Sequence, residues 1–178
     1  MTDQELVDLV LNKDKENYAK IIEKYERQIM AYILRLLNFH REDASDACSN
    51  TFIKAYVNLN GYNPKLKFSS WLYRIAHNEA VNLIKKNSRS STIDITDKEN
   101  SFSCELDFEQ FNKDALEKVL TGLKLKDKDI LTLFYLQERT IKELSEILKC
   151  SEGSVKTRLN RARNRAKIFA KKINYQYV

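Results

Sequence analysis

Residues 140–167 read TIKELSEILKCSEGSVKTRLNRARNRAK, and this stretch decides the fold of the 178-residue chain. Thr140 and Glu143 stand at the Ser/Thr-x-x-Glu spacing of a capping box, which satisfies two orphan backbone donors where a helix starts. Ile141, Leu144, Ile147 and Leu148 then give that helix one apolar face. Cys150-Ser151-Glu152-Gly153 breaks it, Gly153 being one of only three glycines, and Ser151 is a candidate N-cap for a second helix. In the second helix, at about 100° per residue, Val155, Leu159, Ala162 and Ala166 share one side. Thr157, Asn160, Arg161 and Asn164 fall opposite, with Lys156 and Arg158 on the flanks.

From Ser154 to Lys172 there are eight Lys or Arg residues and no Asp or Glu. A short apolar helix, a turn and a basic helix carrying Asn and Thr is the pattern of a helix-turn-helix. The cations hold phosphates, while Asn, Arg and Lys reach base edges in the major groove. The competing reading is a solvated basic face on the last helix of a bundle. Such a face normally interleaves Glu for i,i+4 pairing, and this one does not.

Outward from that motif, the composition is globular, with 43% hydrophobic and 31% charged residues. One proline, three glycines and long periodic segments predict an all-α fold. The net charge is +6, unevenly placed. Residues 1–87 carry 13 basic and 11 acidic groups, residues 88–112 carry 2 and 6, and residues 113–178 carry 16 and 8. Positive charge concentrated around the helix-turn-helix favours a nucleic-acid partner. Cys48, Cys104 and Cys150 are widely separated and odd in number, which fits reduced thiols. The two histidines, His40 and His77, are remote from them in sequence, so neither a metal site nor a cofactor is expected. With Asp3, Glu5 and Asp8 at the start no signal peptide is expected, and no apolar run is long enough to span a bilayer.

The N-terminal half opens on another capping box, Thr2 with Glu5, before a short helix through Leu6, Val7, Leu9, Val10 and Leu11. Asp14 is placed to cap a helix over 15–37, with Ala19, Ile22, Tyr25, Ile29, Ile33 and Leu36 at helical spacing and Tyr32 also in the core or at its boundary. Asn38-Phe39-His40 breaks it. In the helix from Arg41 to Asn58, Ala44, Cys48, Thr51 and Ala55 share a face continued by Leu59. The opposite face mixes Asp43, Asp46 and Asn50 with Ile53 and Val57. Apolar residues edged by carboxylates suggest a protein contact; a further helix of the same domain covering them is the alternative.

Gly61-Tyr62-Asn63-Pro64-Lys65 is a loop, and Ser69 or Ser70 is expected to cap a helix over 70–86. Its Leu72, Ile75, Ala76 and Leu83 point one way, while Trp71, Arg74, Asn78, Asn82 and Lys85 form a stripe elsewhere. With Tyr62, Lys65, Lys67 and Phe68 in the loop, that stripe suits a single nucleic-acid strand: aromatics stack on bases, amides read edges, cations follow the backbone. For Trp71 and Phe68 ordinary core is the alternative. Residues 88–112 lack sustained periodicity and read as a flexible linker between two small helical domains, 1–87 and 113–178. The second of these begins with a helix from Lys113 to Leu123, followed by one starting at Asp127 or Asp129.

The chain resembles a bacterial RNA polymerase sigma factor of the extracytoplasmic-function (ECF) group. The resemblance rests on YERQIMAYILRLL, REDASDACSNTFIKAYVNL and FSSWLYRIAHNEAVNLIKK in the first half, and on residues 140–167 in the second. It implies that the helix around Asp43, Asp46, Asn50, Ile53 and Val57 docks on the clamp of the largest polymerase subunit, though Ser49-Asn50 stands where many relatives have Gln-Glu. It implies that Tyr62, Lys65, Phe68, Trp71, Arg74, Asn78, Asn82 and Lys85 serve the minus-ten promoter element, with Asn78 a base-reading amide. Lys156, Thr157, Arg158, Asn160, Arg161 and Asn164 would meet the minus-thirty-five element, their domain adjoining the flap of the second-largest subunit. The implied partners are core RNA polymerase, promoter DNA and an anti-sigma factor that can hold a cytoplasmic protein at the membrane, with no small-molecule substrate. The sequence alternative is a stand-alone helix-turn-helix regulator binding duplex operators. Enzymatic function is not expected, since no metal-ligand carboxylate pair, Gly-rich phosphate loop or nucleophile–base constellation is recognisable.

Overall fold

The computed structural model describes residues 1–12, 15–88 and 113–172, and among these every regular element is helical. The chain forms two compact units, one of Met1–Asn87 with Glu146–Lys149 and one of the remaining described residues. The cap expected at Asp14 and the segment read as a linker lie outside the described residues.

In the N-terminal unit α1 (Asp3–Asn12) starts on its capping box: the Thr2 N–H donates to Glu5 Oε2 at 2.7 Å, and the Glu5 N–H to Thr2 Oγ1 at 3.2 Å. A 3-10 turn over Lys15–Asn17 leads into α2 (Tyr18–Leu36). The buried stripe of α2 begins on Tyr18 and Ile21 rather than on Ala19 and Ile22, and continues through Tyr25, Ile29, Tyr32, Ile33 and Leu36. The chain reverses after α2 on two left-handed residues, Asn38 (φ 52°) and Phe39 (φ 65°), with the Phe39 N–H donating to Leu34 O at 2.8 Å. That six-to-one bond satisfies a terminal carbonyl of the helix and offsets part of the strain of a left-handed Phe.

Helix α3 (Arg41–Val57) presents Ala44, Ala47, Cys48, Thr51, Phe52 and Ala55 inward, and all but Phe52 are small, which lets it lie close against α2. The Tyr18 hydroxyl donates to Phe52 O at 2.6 Å, locking the two helices together. Burial, helped by the charge of Glu26, pushes the Cys48 thiol up to about 11, so it stays a neutral packing group. Helix α4 (Phe68–Ser88) begins before either serine expected to cap it. Ser69 and Ser70 lie within its first turn and are buried, and Ser70 Oγ has no hydrogen-bond partner. The physical reason is Phe68, only 2% exposed: seating that ring in the core draws the helix start toward the loop. Buried Leu72, Tyr73, Ala76 and Ala80 form the inner face of α4, with the Tyr32 and Tyr73 rings 5.4 Å apart. Lys54 on α3 pairs with Glu79 on α4 at 2.6 Å.

The C-terminal unit starts with α5 (Lys113–Thr121), which buries Leu116, Val119 and Leu120. Gly122 follows directly under the ring of Phe169, where any side chain would collide. Helix α6 (Leu125–Leu131) begins two residues earlier than the sequence suggests, so Asp127 and Asp129 are first-turn and mid-helix residues rather than caps. Both are buried, and Asp127 accepts two hydrogen bonds from Arg165 Nη1 at 3.0 and 3.1 Å. A long-range cation has taken the carboxylate that local rules assign to the helix end. A π-helical turn, Thr132–Leu136, closes α6 with the Gln137 N–H donating to Thr132 O at 3.0 Å.

Candidate nucleic-acid interface

Helix α7 (Ile141–Leu148) carries the expected capping box. The Thr140 N–H donates to Glu143 Oε2 at 2.9 Å and the Glu143 N–H to Thr140 Oγ1 at 3.3 Å. Glu143 is nonetheless 6% exposed, because the same carboxylate also accepts from the Thr140 hydroxyl and pairs with Arg139 at 3.7 Å. The turn that follows is made at Lys149 (φ 50°), not at Gly153, which is the second residue of α8 (Glu152–Lys172). Ser151 caps α8 as expected, accepting from the Ser154 N–H at 3.2 Å.

On α8 the inner stripe is sealed: Val155, Leu159, Ala162, Ala166 and Ala170 are each 2% exposed or less. Lys156, Thr157, Arg158, Asn160, Arg161 and Asn164 are all exposed, so one face gathers every position singled out from the sequence. Three cations or more with amide and hydroxyl groups on one rigid helix can grip phosphates and probe base edges together. Two of the eight cations depart from the uniform basic face the sequence suggested. Arg165 turns back to Asp127, and Arg163 Nε donates to the Tyr135 hydroxyl at 2.7 Å. Arg163 sits only about 60° around the helix from the centre of the buried stripe, which is the one signal in the sequence that sets it apart.

The minus-ten candidates divide differently. Asn78, Asn82, Lys85 and Lys65 are exposed and Arg74 is half-buried. Phe68 and Trp71 are 2% and 8% exposed, so neither offers a face for base stacking. They form a cluster instead: the Trp71 ring lies 5.5 Å from Phe68 and 5.6 Å from Tyr62, and Phe68 lies 5.8 Å from Tyr25. Tyr62, half-buried, donates its hydroxyl to Leu66 O at 2.6 Å, and burial raises its pKa. Lys65 is held in the loop by its N–H donating to Asn63 Oδ1 at 3.0 Å. Phe68 and Trp71 therefore belong to the packed interior, and Asn78, Asn82 and Lys85 form the exposed polar stripe without them. The burial of those two rings is paid by tertiary contacts that a one-dimensional stripe does not register.

On α3 the suspected contact face is open. Ile53 is 60% and Val57 70% exposed, Tyr56 38%, and Asp46 and Asn50 are exposed beside them, while Asp43 is half-buried. The helix of the same domain that might have covered Ile53 and Val57 does not. An open groove of about 690 Å³ between α2 and α3 reaches Ile53 and is lined also by Ala19, Ile22, Cys48, Phe52 and Tyr56. Among the described residues no three His, Cys, Asp or Glu side chains cluster so as to hold a metal ion, and no helix is long and apolar enough to cross a membrane.

Comparison with known proteins gives this geometry a context. Residues 21–90 match sigma-70 region 2, and residues 113–165 match sigma-70 region 4. The ECF RNA polymerase sigma factor SigW of Bacillus subtilis is 32% identical over 164 residues, 84% of this chain and 87% of that protein. The ECF RNA polymerase sigma-E factor of Haemophilus influenzae is 26% identical, covering 92% of each. Among solved structures, the sigma factor RpoE in complex with the anti-sigma factor NepR, from Bartonella quintana, superposes with a TM-score of 0.66 at 20% identity, over 88% of this chain and 98% of that one. CnrH, solved with the cytosolic domain of CnrY, gives 0.70 at 17% identity, over 96% and 97%.

Proposed function

Because the chain belongs to the extracytoplasmic-function group of RNA polymerase sigma factors, we propose a division of its work between the two units. The protein is a sigma factor, binding core RNA polymerase and directing initiation at specific promoters. In our reading residues 113–178 hold the minus-thirty-five element as intact duplex, residues 1–87 hold polymerase and the opened minus-ten strand, and residues 88–112 connect them. The protein performs no chemistry of its own in this scheme: contacts to unpaired bases offset the few kcal/mol lost when each base leaves the stack.

The observation that carries the reading is the exposure of all six polar positions on α8 above a sealed apolar stripe. Arg161→Ala is expected to weaken promoter binding by ~1–3 kcal/mol, the usual worth of one base-contacting arginine. Footprinting with reconstituted holoenzyme checks it, and unchanged protection of the upstream element would refute the assignment. For the other unit, Asn78→Ala is expected to reduce open complexes about tenfold, one good base contact being worth ~1–3 kcal/mol, while core affinity is unchanged. Permanganate reactivity of unpaired thymines reads the first quantity and competition for core the second. Equal loss in both would count against a base-reading role.

The same face of α3 that we assign to polymerase is the surface an anti-sigma partner would cover to keep the protein inactive, and the groove beside Ile53 gives such a partner an apolar seat. A membrane-anchored partner of this kind would hold the protein at the inner face of the membrane. Co-purification of the full chain with a co-expressed candidate anti-sigma partner, lost on mutating Ile53, is the observation to seek.

A further inference from the structure

Arg163 leaves its basic neighbours and is fixed from three sides. Its Nε donates to the Tyr135 hydroxyl at 2.7 Å, and its guanidinium carbon stands 5.4 Å from the Phe134 ring centre and 5.5 Å from that of Tyr135. Those two rings meet edge to face, 5.0 Å apart, on the π-helical turn Thr132–Leu136. The extra residue in that turn is what brings two consecutive aromatics toward α8. A guanidinium is planar and rigid, so fixing Nε and one face also fixes where its remaining N–H groups aim. Nη1 donates to Asn160 Oδ1 at 3.4 Å, one turn back on the exposed face.

Guanidinium only donates, so an Asn160 amide in contact with it must turn its oxygen inward and its NH2 group away. An exposed asparagine without such a partner flips freely and presents donor or acceptor alike. We propose that Tyr135 is a specificity-setting positioning residue: through Arg163 it holds the Asn160 amide in one orientation, so that α8 offers an N–H donor to an acceptor atom on a base edge. In the major groove those acceptors are purine N7, guanine O6 and thymine O4. This rests on the reading of α8 as the helix that enters the major groove, and it adds which residue behind α8 sets what is read. Tyr135 itself touches no DNA in this arrangement.

The test uses full-length protein with core polymerase and a duplex library randomised upstream of the start site. Base preferences at each position are compared for wild type, Asn160→Ala, Tyr135→Phe and Arg163→Lys. Asn160→Ala identifies the base pair that Asn160 reads. Tyr135→Phe removes one oxygen and leaves both ring faces in place. It is expected to weaken the preference at that same base pair about five-fold, the lower end of what a good base contact discriminates, with other positions and the salt dependence unchanged. Arg163→Lys keeps the charge but cannot serve hydroxyl, rings and amide together, so it should flatten the same position. Unchanged preference there in both variants would overturn the proposal, as would an equal loss at every position, which belongs to a phosphate contact or a scaffold. No altered position in Asn160→Ala would overturn the groove reading itself, and the proposal with it.

Discussion

Replacing Trp71 by alanine lowers the unfolding free energy of the N-terminal unit by ~3–5 kcal/mol with no DNA present, the range for truncating a buried aromatic. The indole is 8% exposed and packs against Tyr62 and Phe68, with Phe68 in turn on Tyr25, so its removal takes away one of four clustered rings and two of their contacts. Aromatic pairs at these separations add ~0.5–1.5 kcal/mol each beyond the area they bury. A surface tryptophan that served only to stack on a base would behave oppositely, losing DNA contact while changing stability by less than ~0.5 kcal/mol. Urea denaturation followed by circular dichroism separates these outcomes. Trp71→Phe should recover much of the loss, since it refills part of the volume. Coincident unfolding curves for wild type and Trp71→Ala would mean that the ring cluster does not stabilise the unit. Since domains are stable by only ~5–15 kcal/mol, a loss of this size also removes function secondarily. The stability measurement therefore has to precede any promoter assay on this variant.

The second large effect concerns association. Ile53→Asp combined with Val57→Asp is expected to reduce affinity for core RNA polymerase at least ~100-fold, two apolar anchors of ~2 kcal/mol or less each being enough. Both side chains are more than half exposed in the free chain, so the substitutions should cost folding little. Their burial against a partner is a different matter, because a carboxylate sealed in an apolar contact without a counter-charge is strongly disfavoured. Asp46 already stands on that face, so the double variant also tests whether the contact is apolar or electrostatic. Neutral Ile53→Asn with Val57→Asn should lose nearly as much if apolar burial dominates. Displacement of labelled wild-type protein from core is the measurement. A displacement curve superimposable on wild type would leave this face of α3 as solvated surface and remove the basis for assigning polymerase to it.

Elements whose ends are set by neighbours in sequence were legible in advance. Thr2 with Glu5, Thr140 with Glu143, and Ser151 each make the reciprocal or single cap that their spacing predicts. The elements misread are those where a distant partner outbid a local one. Asp127 looks like the residue that starts a helix, yet it lies inside one that begins at Leu125 and is held by Arg165, thirty-eight residues away. Ser69 and Ser70 look like caps, and the burial of Phe68 pulls the helix start past them. Gly153 looks like the residue that breaks the helix-turn-helix, yet Lys149 adopts the left-handed conformation. In each case the residue type matched a local rule while packing selected another residue for the task.

The amino-acid order alone determined the all-helical character and the two-faced character of α8, because both follow from side-chain spacing around a single helix and need no partner. Only the tertiary structure decided which members of a face reach solvent. Trp71 and Asn78 share a stripe, yet one is packed against the Tyr62 and Phe68 rings and the other is exposed. Arg161 and Arg163 are both cations on one helix, yet the first lies on the outer face and the second is bound to Tyr135. Periodicity fixes direction about a helix axis; what stands in that direction is supplied by chain segments far away in sequence, and it is their presence that turns a possible contact into a packed core or an open surface.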